Sequence, residues 1–441
     1  MNIRMRLKTV LAMLAVSMLT YAQETTTPTM HLTLDKAIEL ALSENPTIKV
    51  AEQEIQLKEV SKKEAWQNLL PSITLDGTVT YNIKVAEIKT SMGSFKMGMD
   101  DSNTWNGAIN VSLPLYAPAA YRTITMTKKD IELAVEKSRA SKIEMVNQVT
   151  KAFFQLMLAQ DSYKVLMDNY KQAEINYDIV KAKFEQGSVS EYDKISSEVQ
   201  VRSAWPNVVS GENAVELAKL QLKVLMGITA DINIVIDDKL TNYEGDMLKA
   251  TETAEQLSFD NNSTLRQIDL SGELLNQTRK ILKSSFHPTL ALVGSYQYQS
   301  MSNTNWEINN YNWSNASSLT LSLSIPLFKA SNFTKLKSNK IQQWQLAENR
   351  LNTERMLRMQ AQSYLDNMTA SAEQLESNKK AVELAQKGLQ ISQKRYEVGK
   401  GTILELNNSQ VSLTNTQLTY NNSIYEYLVA KSDLQTVLGK E

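Results

Sequence analysis

The sequence predicts a mainly α protein that carries four β-strands of membrane-crossing type, written as two structural copies. Three observations carry that fold class: landmarks that recur at a fixed displacement, long stretches without proline, and strands with one wholly apolar face. VSLPLY (111–116) overlies LSIPLF (323–328), FEQGSVSEYD (184–193) overlies YEVGKGTILE (396–405), and LMG (225–227) overlies LG at Leu438 and Gly439, all displaced by 212 residues. LPSITLDGTVTYN (70–82) matches HPTLALVGSYQYQ (287–299) at 217, so one short length change separates the copies. A recurrence of this kind defines the architecture before any single element does.

The N-terminus comes first in order. Arg4, Arg6 and Lys8 precede an apolar run from Val10 to Leu19 and small residues ending at Ala22, the order of a cleavable secretory signal over 1–22. The run is shorter than the roughly 20 residues that cross a bilayer as a helix. Residues 23–227 form the first repeat, 228–250 an equatorial linker, and 251–441 the second repeat. Each repeat reads as helix, strand, loop, strand, long helix, tight turn, long helix.

Pro71 and Pro288 precede the first strand of each copy, and Pro114 and Pro326 sit at the end of the second. Proline has no N–H for the ladder, so strand ends tolerate it. The strands are expected at about 71–82, 105–115, 288–299 and 318–327. Residues 119–205 hold no Pro and only Gly187, which permits helices at about 118–186 and 190–226; their counterparts fall at 330–397 and 402–438. Helices of some 60 residues are roughly 90–100 Å long. Leu156, Tyr163, Tyr170, Tyr177 and Phe184 recur every seven residues, as do Met368, Leu375, Val382, Leu389 and Tyr396, with Ala361, Leu365 and Ala372 extending the second series. That period specifies coiled-coil packing.

The strands set aliphatic rows against small polar ones. The apolar rows contain Ile73, Leu75 and Val79; Ile109, Val111 and Leu113; Leu290 and Leu292; and Leu319, Leu321, Leu323 and Ile325. Ser, Thr, Asn and Gln fill most alternate positions, and no Lys, Arg, Asp or Glu stands on an apolar row. Aromatics gather at the ends: Tyr81, Trp105 and Tyr298 toward the loops, Tyr116, Phe286 and Phe328 toward the helices. A soluble sandwich also alternates, but strands of about ten residues with aromatic ends and uncharged rows match lipid contact. Four strands cannot close a barrel, and open edges in hydrocarbon leave N–H and C=O groups unsatisfied at several kcal/mol each. Further copies must complete the sheet: two would give eight strands with a filled interior, three would give twelve with a lumen. The loops at 83–104 and 300–317 lie at the end opposite the long helices, which places the loops outside and the helices in the periplasm.

The duplicated pattern, the opening LTLDKAIELALSENPTIKVA (32–51), the SIPLF-type strand ends and the two Gly-containing turns resemble the TolC-type outer-membrane efflux proteins, over about His31 to Gly439. The resemblance implies a homotrimer in the outer membrane of a Gram-negative bacterium, whose 12-stranded β-barrel continues into a periplasmic α-helical coiled-coil barrel. It implies the exit duct of a tripartite efflux or type I secretion system, with a periplasmic adaptor (membrane fusion protein) and an inner-membrane pump or exporter as partners. The family's adaptor-contacting tips fall on Gly187, Ser188, Val189 and Ser190 and on Gly399, Lys400, Gly401 and Thr402; a backbone requirement for a tight turn explains the glycines equally. The acidic aperture of some relatives falls on Asp193, Glu383, Glu397 and Glu405, where a solvated helix flank is the alternative. The chain has no Cys, so it lacks the family's lipid anchor.

Other functions find little in the residues. With 47 Lys and Arg against 48 Asp and Glu, nothing favours nucleic acid. His31 and His287 occupy unrelated places, and no catalytic, cofactor or metal-ligand motif occurs. A periplasmic coiled-coil scaffold without a pore would share the signal and the heptads, but not the apolar strand rows.

Overall fold

Alternation and proline placement lead to a chain that begins β1 (Thr29–His31), α1 (Leu34–Glu44), α2 (Pro46–Gln67), β2 (Ser72–Asn82), β3 (Glu87–Thr90), β4 (Gly93–Lys96) and β5 (Ser102–Tyr116). It continues with α3 (Pro118–Glu185), α4 (Glu191–Leu225), β6 (Asn233–Val235), a 3-10 turn (Leu240–Asp246), α5 (Ser263–Ser284), β7 (Thr289–Ser302), β8 (Trp313–Ser324), α6 (Ala330–Glu397) and α7 (Ile403–Val437). The computed structural model describes residues 29–91, 93–228, 232–247, 257–302 and 312–440. The expected signal segment and the centre of the 300–317 loop lie outside them.

Two differences from the sequence reading have simple causes. β8 starts at Trp313 and stops at Ser324, so Ile325 lies beyond the strand rather than on its apolar row. The ladder closes with Thr289 opposite Ser324, and the next residues outward are Pro288 and the Ile325–Pro326 pair, where neither proline has an N–H to donate. The expected 83–104 loop contains a hairpin of β3 and β4 and gives its last three residues to β5: Ile88 pairs with Phe95, and the Met97 N–H donates to the Ala86 carbonyl at 2.9 Å. Gly93 and Gly98 adopt positive φ of 129° and 110° in and beside it. Within 228–250, β6 pairs in parallel with β1 through Met30 and Ile234.

The chain forms two compact units. One contains residues 47–143, 254–361 and 437–441, and with them an antiparallel four-stranded sheet of order β2-β5-β7-β8. Its helix ends are held by a clasp. The buried Asn262 caps α5 by accepting from the Leu265 N–H at 3.0 Å, and its amide donates to the Val437 carbonyl at 2.8 Å. Both bonds satisfy groups that a helix terminus leaves without partners. Gly439 follows at φ +68°, where an added Cβ would lie 2.1 Å from the Asn261 carbonyl oxygen. Arg139 binds Glu136 at 2.7 Å and the Asn261 carbonyl at 2.6 Å, while the Ser263 hydroxyl donates to Glu136 at 2.6 Å. Burial raises the Glu136 pKa, but these donors outweigh it and hold the carboxyl below its ordinary value.

The other unit contains residues up to 46, 144–253 and 362–436. A clasp of the same construction recurs here. The buried Asn45 donates to the Leu225 carbonyl at 2.8 Å, and Gly227, at φ +68°, leaves room for a Cβ only 2.8 Å from the Glu44 carbonyl oxygen.

Two outcomes follow. Gly439→Ala adds an unfavourable left-handed residue, about 1–2 kcal/mol, and a backbone collision, so its thermal midpoint in detergent, followed by circular dichroism, falls below that of Gly187→Ala. Equal midpoints would remove the clasp from the account. Because the Glu136 pKa is lowered in the folded protein, its contribution is present above the ordinary glutamate range and is lost as pH falls through the lowered value. Glu136→Gln therefore costs about 1.5–3 kcal/mol at neutral pH and flattens the acid limb of a stability-against-pH curve.

Candidate functional site

Directly opposed residues of an antiparallel pair share a face. Register therefore decides which rows run together across the sheet. Ile73, Leu75 and Val79 oppose Val111, Ile109 and Trp105; Leu113, Val111 and Ile109 oppose Leu292, Gly294 and Tyr296; Leu290, Leu292 and Gly294 oppose Leu323, Leu321 and Leu319. These side chains form one apolar face, and it is uncovered: Leu75 is 79% and Leu319 75% exposed. A sandwich core would bury them. The opposite face carries Thr74, Asp76, Thr78 and Thr80, then Asn110, Asn106 and Thr104, then Ser295, Gln297 and Gln299, then Thr320, Ser318 and Ser314. Asn110 bridges strands on this face, donating to Asp76 at 2.8 Å and accepting from the Ser295 hydroxyl at 2.7 Å.

Aromatics flank the apolar face. At the loop end Tyr298 stacks on Trp313 with centroids 5.1 Å apart and planes within 4°. At the helix end Phe286 meets Phe333 at 5.1 Å and Phe328 meets the same ring at 6.2 Å, while Tyr116 is exposed. Trp313 and Phe333 were not legible as members. Trp313 stands in a segment without alternation before Leu319, and Phe333 belongs to a helix.

The turns lie in the other unit, and each is built by the same rules. α3 ends with the Gly187 N–H donating to Phe184 O and the Ser188 N–H to Lys183 O, both at 2.8 Å, with Gly187 at φ +70°. α6 ends with the Lys400 N–H donating to Arg395 O at 2.8 Å and Gly399 at φ +75°. These are left-handed helix stops that favour glycine. Gly401 is small for a different reason: a Cβ there would sit 3.0 Å from the Arg395 Cβ. Ser190 then accepts from the Asp193 N–H and Thr402 from the Glu405 N–H, each at 3.2 Å. Asp193 and Glu405 thus occupy the third position of a capped helix start, where a carboxylate also favours the helix dipole.

The four acidic candidates do not form one cluster within the chain. Glu405 lies 3.5 Å from Arg395, and Glu383 pairs with Lys380 at 2.9 Å, which lowers its pKa. Glu383 stands about 21 Å along the helix from Glu397 by its rise per residue. The two turns do come together. Val180, Leu389, Tyr396, Ile403 and Leu406 form a buried cluster with Val189 and Leu413 against it. Lys183 closes it, donating to Tyr396 O at 3.3 Å and Glu397 O at 3.1 Å, with its ammonium 5.0 Å over the Tyr396 ring. A cation at the end of α6 satisfies its last carbonyls and favours the helix dipole. The available signal for Lys183 was its counterpart Arg395, a basic residue at the same place in the second turn.

The sequence pattern described as outer membrane efflux protein matches residues 37–228 and 256–440. The chain belongs to the outer membrane efflux protein family. It is 23% identical over 375 residues to outer membrane protein TolC of Vibrio cholerae, covering 84% of this chain and 82% of that one. The fold is that of CusC, with a TM-score of 0.71 at 16% identity and 94% of each chain covered, and of the outer membrane protein VceC of Vibrio cholerae, at 0.69 and 16% over 92% and 96%. Like the rest of this family, the chain is an outer-membrane efflux channel of TolC type, not a member of an enzyme class.

The Tyr396 hydroxyl is buried with no hydrogen-bond partner among the described residues, and burial, then the Asp193 carboxylate, push its pKa up to about 12. Tyr396→Phe removes an unsatisfied polar group and should leave the thermal midpoint unchanged or higher, whereas Tyr396→Ala lowers stability by about 3–5 kcal/mol. A large loss in the Phe variant would reveal a partner for the hydroxyl.

Proposed function

We propose that three copies of this chain close a twelve-stranded barrel in the outer membrane and continue it as a periplasmic tube of helices, the exit duct of a tripartite efflux or type I secretion system. The observation that carries this reading is a four-stranded sheet with two free edges, β2 and β8, and an uncovered apolar face. In hydrocarbon those edges must pair with other copies. Twelve strands leave a lumen for the hydroxyl face, and eight do not. Helix faces favour the same assembly: Leu384 and Ile391 stand seven residues apart on α6 and remain exposed, as does Val398 in the turn that follows. Two matches of one family pattern, paired turns and paired Asn–Gly clasps support an internal duplication.

In this reading the signal at 1–22 directs export, the β3–β4 hairpin faces outward, and the turns at 187–190 and 399–402 meet a periplasmic adaptor that couples the duct to an inner-membrane pump or exporter. Asp193, Glu397 and Glu405 are acidic groups at that inner end, beside Glu185 and Glu191, and Glu383 stands about 21 Å further back along α6. Passage is passive, since the partner supplies the energy and picks up the cargo. A pore-less periplasmic scaffold is the second reading, and it leaves the uncovered apolar row without a purpose.

Outer-membrane fractionation and gel mobility before and after boiling test the assembly: a trimer that resists detergent and collapses on heating is expected, and release by osmotic shock would favour the scaffold. Bulky residues at Gly187 or Gly401 should abolish resistance to exported compounds while the boiled and unboiled bands stay as in the parent. Loss of the unboiled band in those variants would make the turns structural only.

A further inference from the structure

Asp76 is the only Asp, Glu, Lys or Arg on β2, β5, β7 and β8. It sits in the middle of β2, opposite Ala108, on the hydroxyl face. Its carboxylate is held in place: Asn110 donates to Oδ2 at 2.8 Å and the Thr74 hydroxyl donates to the same oxygen at 3.2 Å. Asn110 is oriented in turn by the Ser295 hydroxyl, which donates to its Oδ1 at 2.7 Å, so three strands fix one charge. The matching position of the second copy, displaced by 217 residues, is Val293, so the charge occurs once per chain.

We infer that Asp76 is an electrostatic selectivity element inside the bore, which favours cationic over anionic solutes. The inference rests on the pore reading above. A charge at mid-strand is tolerated where water reaches it and is expensive against hydrocarbon, which agrees with its face. The other described residues on this face are uncharged, Ser, Thr, Asn and Gln with a few apolar ones such as Ala108 and Val293, so no strand residue compensates it. Three copies repeat it at one level, and the low-dielectric wall around a water-filled bore focuses its field onto passing ions.

The absence of cysteine from the chain permits a clean local measurement. Thr78→Cys places a thiol on the same face, two residues or about 7 Å along the strand. In outer membranes, the rates of its modification by cationic trimethylammonioethyl and anionic sulfonatoethyl methanethiosulfonate are compared with and without Asp76→Asn. With Asp76 the cationic reagent is favoured, and Asp76→Asn lowers the cation-to-anion rate ratio about three- to tenfold at low salt. Thr80→Asp in the Asp76→Asn background restores it, which separates charge from any change in folding. Modification by both reagents with a ratio indifferent to either substitution overturns the inference and leaves the pore reading standing. A thiol that neither reagent reaches until the protein is denatured overturns the pore reading, and the selectivity element with it.

Discussion

A β-strand surrounded by hydrocarbon can satisfy its backbone N–H and C=O groups only through another strand. The rest of this protein answers to that condition. The sheet β2-β5-β7-β8 completes three ladders and leaves two edges, one at each side. Pro288 and Pro326 lie just beyond the β7–β8 ladder, while Pro114 stands inside β5, where the β5–β7 register shifts before Tyr116. No charged residue stands on the apolar row, while hydroxyl and amide side chains bond one another across the opposite face. The sheet thus combines an uncovered leucine face with two edges that have no strand partner among the described residues.

The helices meet a related constraint at their ends. A helix leaves four carbonyls without partners at its C-terminus, and this chain treats its long helices with two devices, each used more than once. At the turns, Gly187 and Gly399 take left-handed backbone so that following N–H groups fold back onto those carbonyls, and Ser190 and Thr402 cap the helices that follow. At the far ends of α4 and α7, Asn45 and Asn262 reach in to donate to Leu225 and Val437, and Gly227 and Gly439 allow the backbones to touch. Glycine serves a different purpose at each site. At 187 and 399 its backbone freedom is what matters, because open space surrounds both; at 439 the missing Cβ matters as much as φ.

Charge is distributed with the same economy. The four strands carry a single carboxylate, held by neutral donors, while the helix surfaces carry many ion pairs three or four residues apart. The pair of buried Glu136 and half-buried Arg139 differs from those, because its atoms also bind Ser263 and Asn261 and tie helix ends together. Lys183 acts similarly at the turns, where one ammonium serves two carbonyls and an aromatic face.

Much of this was legible in the amino-acid order. Period-two alternation over ten residues, proline at strand ends, proline-free stretches and a seven-residue apolar repeat each report a local geometry that neighbouring residues enforce. The strands, the long helices and the paired turns therefore followed from the chain alone, to within a few residues. What the tertiary structure alone decided depends on groups far apart in sequence. The β1–β6 ladder and the β3–β4 hairpin are too short to leave a periodic signal. Ile325 lost its place on the apolar row because the β7–β8 ladder ends at Thr289 and Ser324, next to Pro288 of the facing segment. Lys183 met carbonyls more than two hundred residues away, and Asp76 acquired its bracing from Asn110 and Ser295 on other strands. Sequence order encodes periodicity, and only folding brings distant donors and acceptors within hydrogen-bond reach.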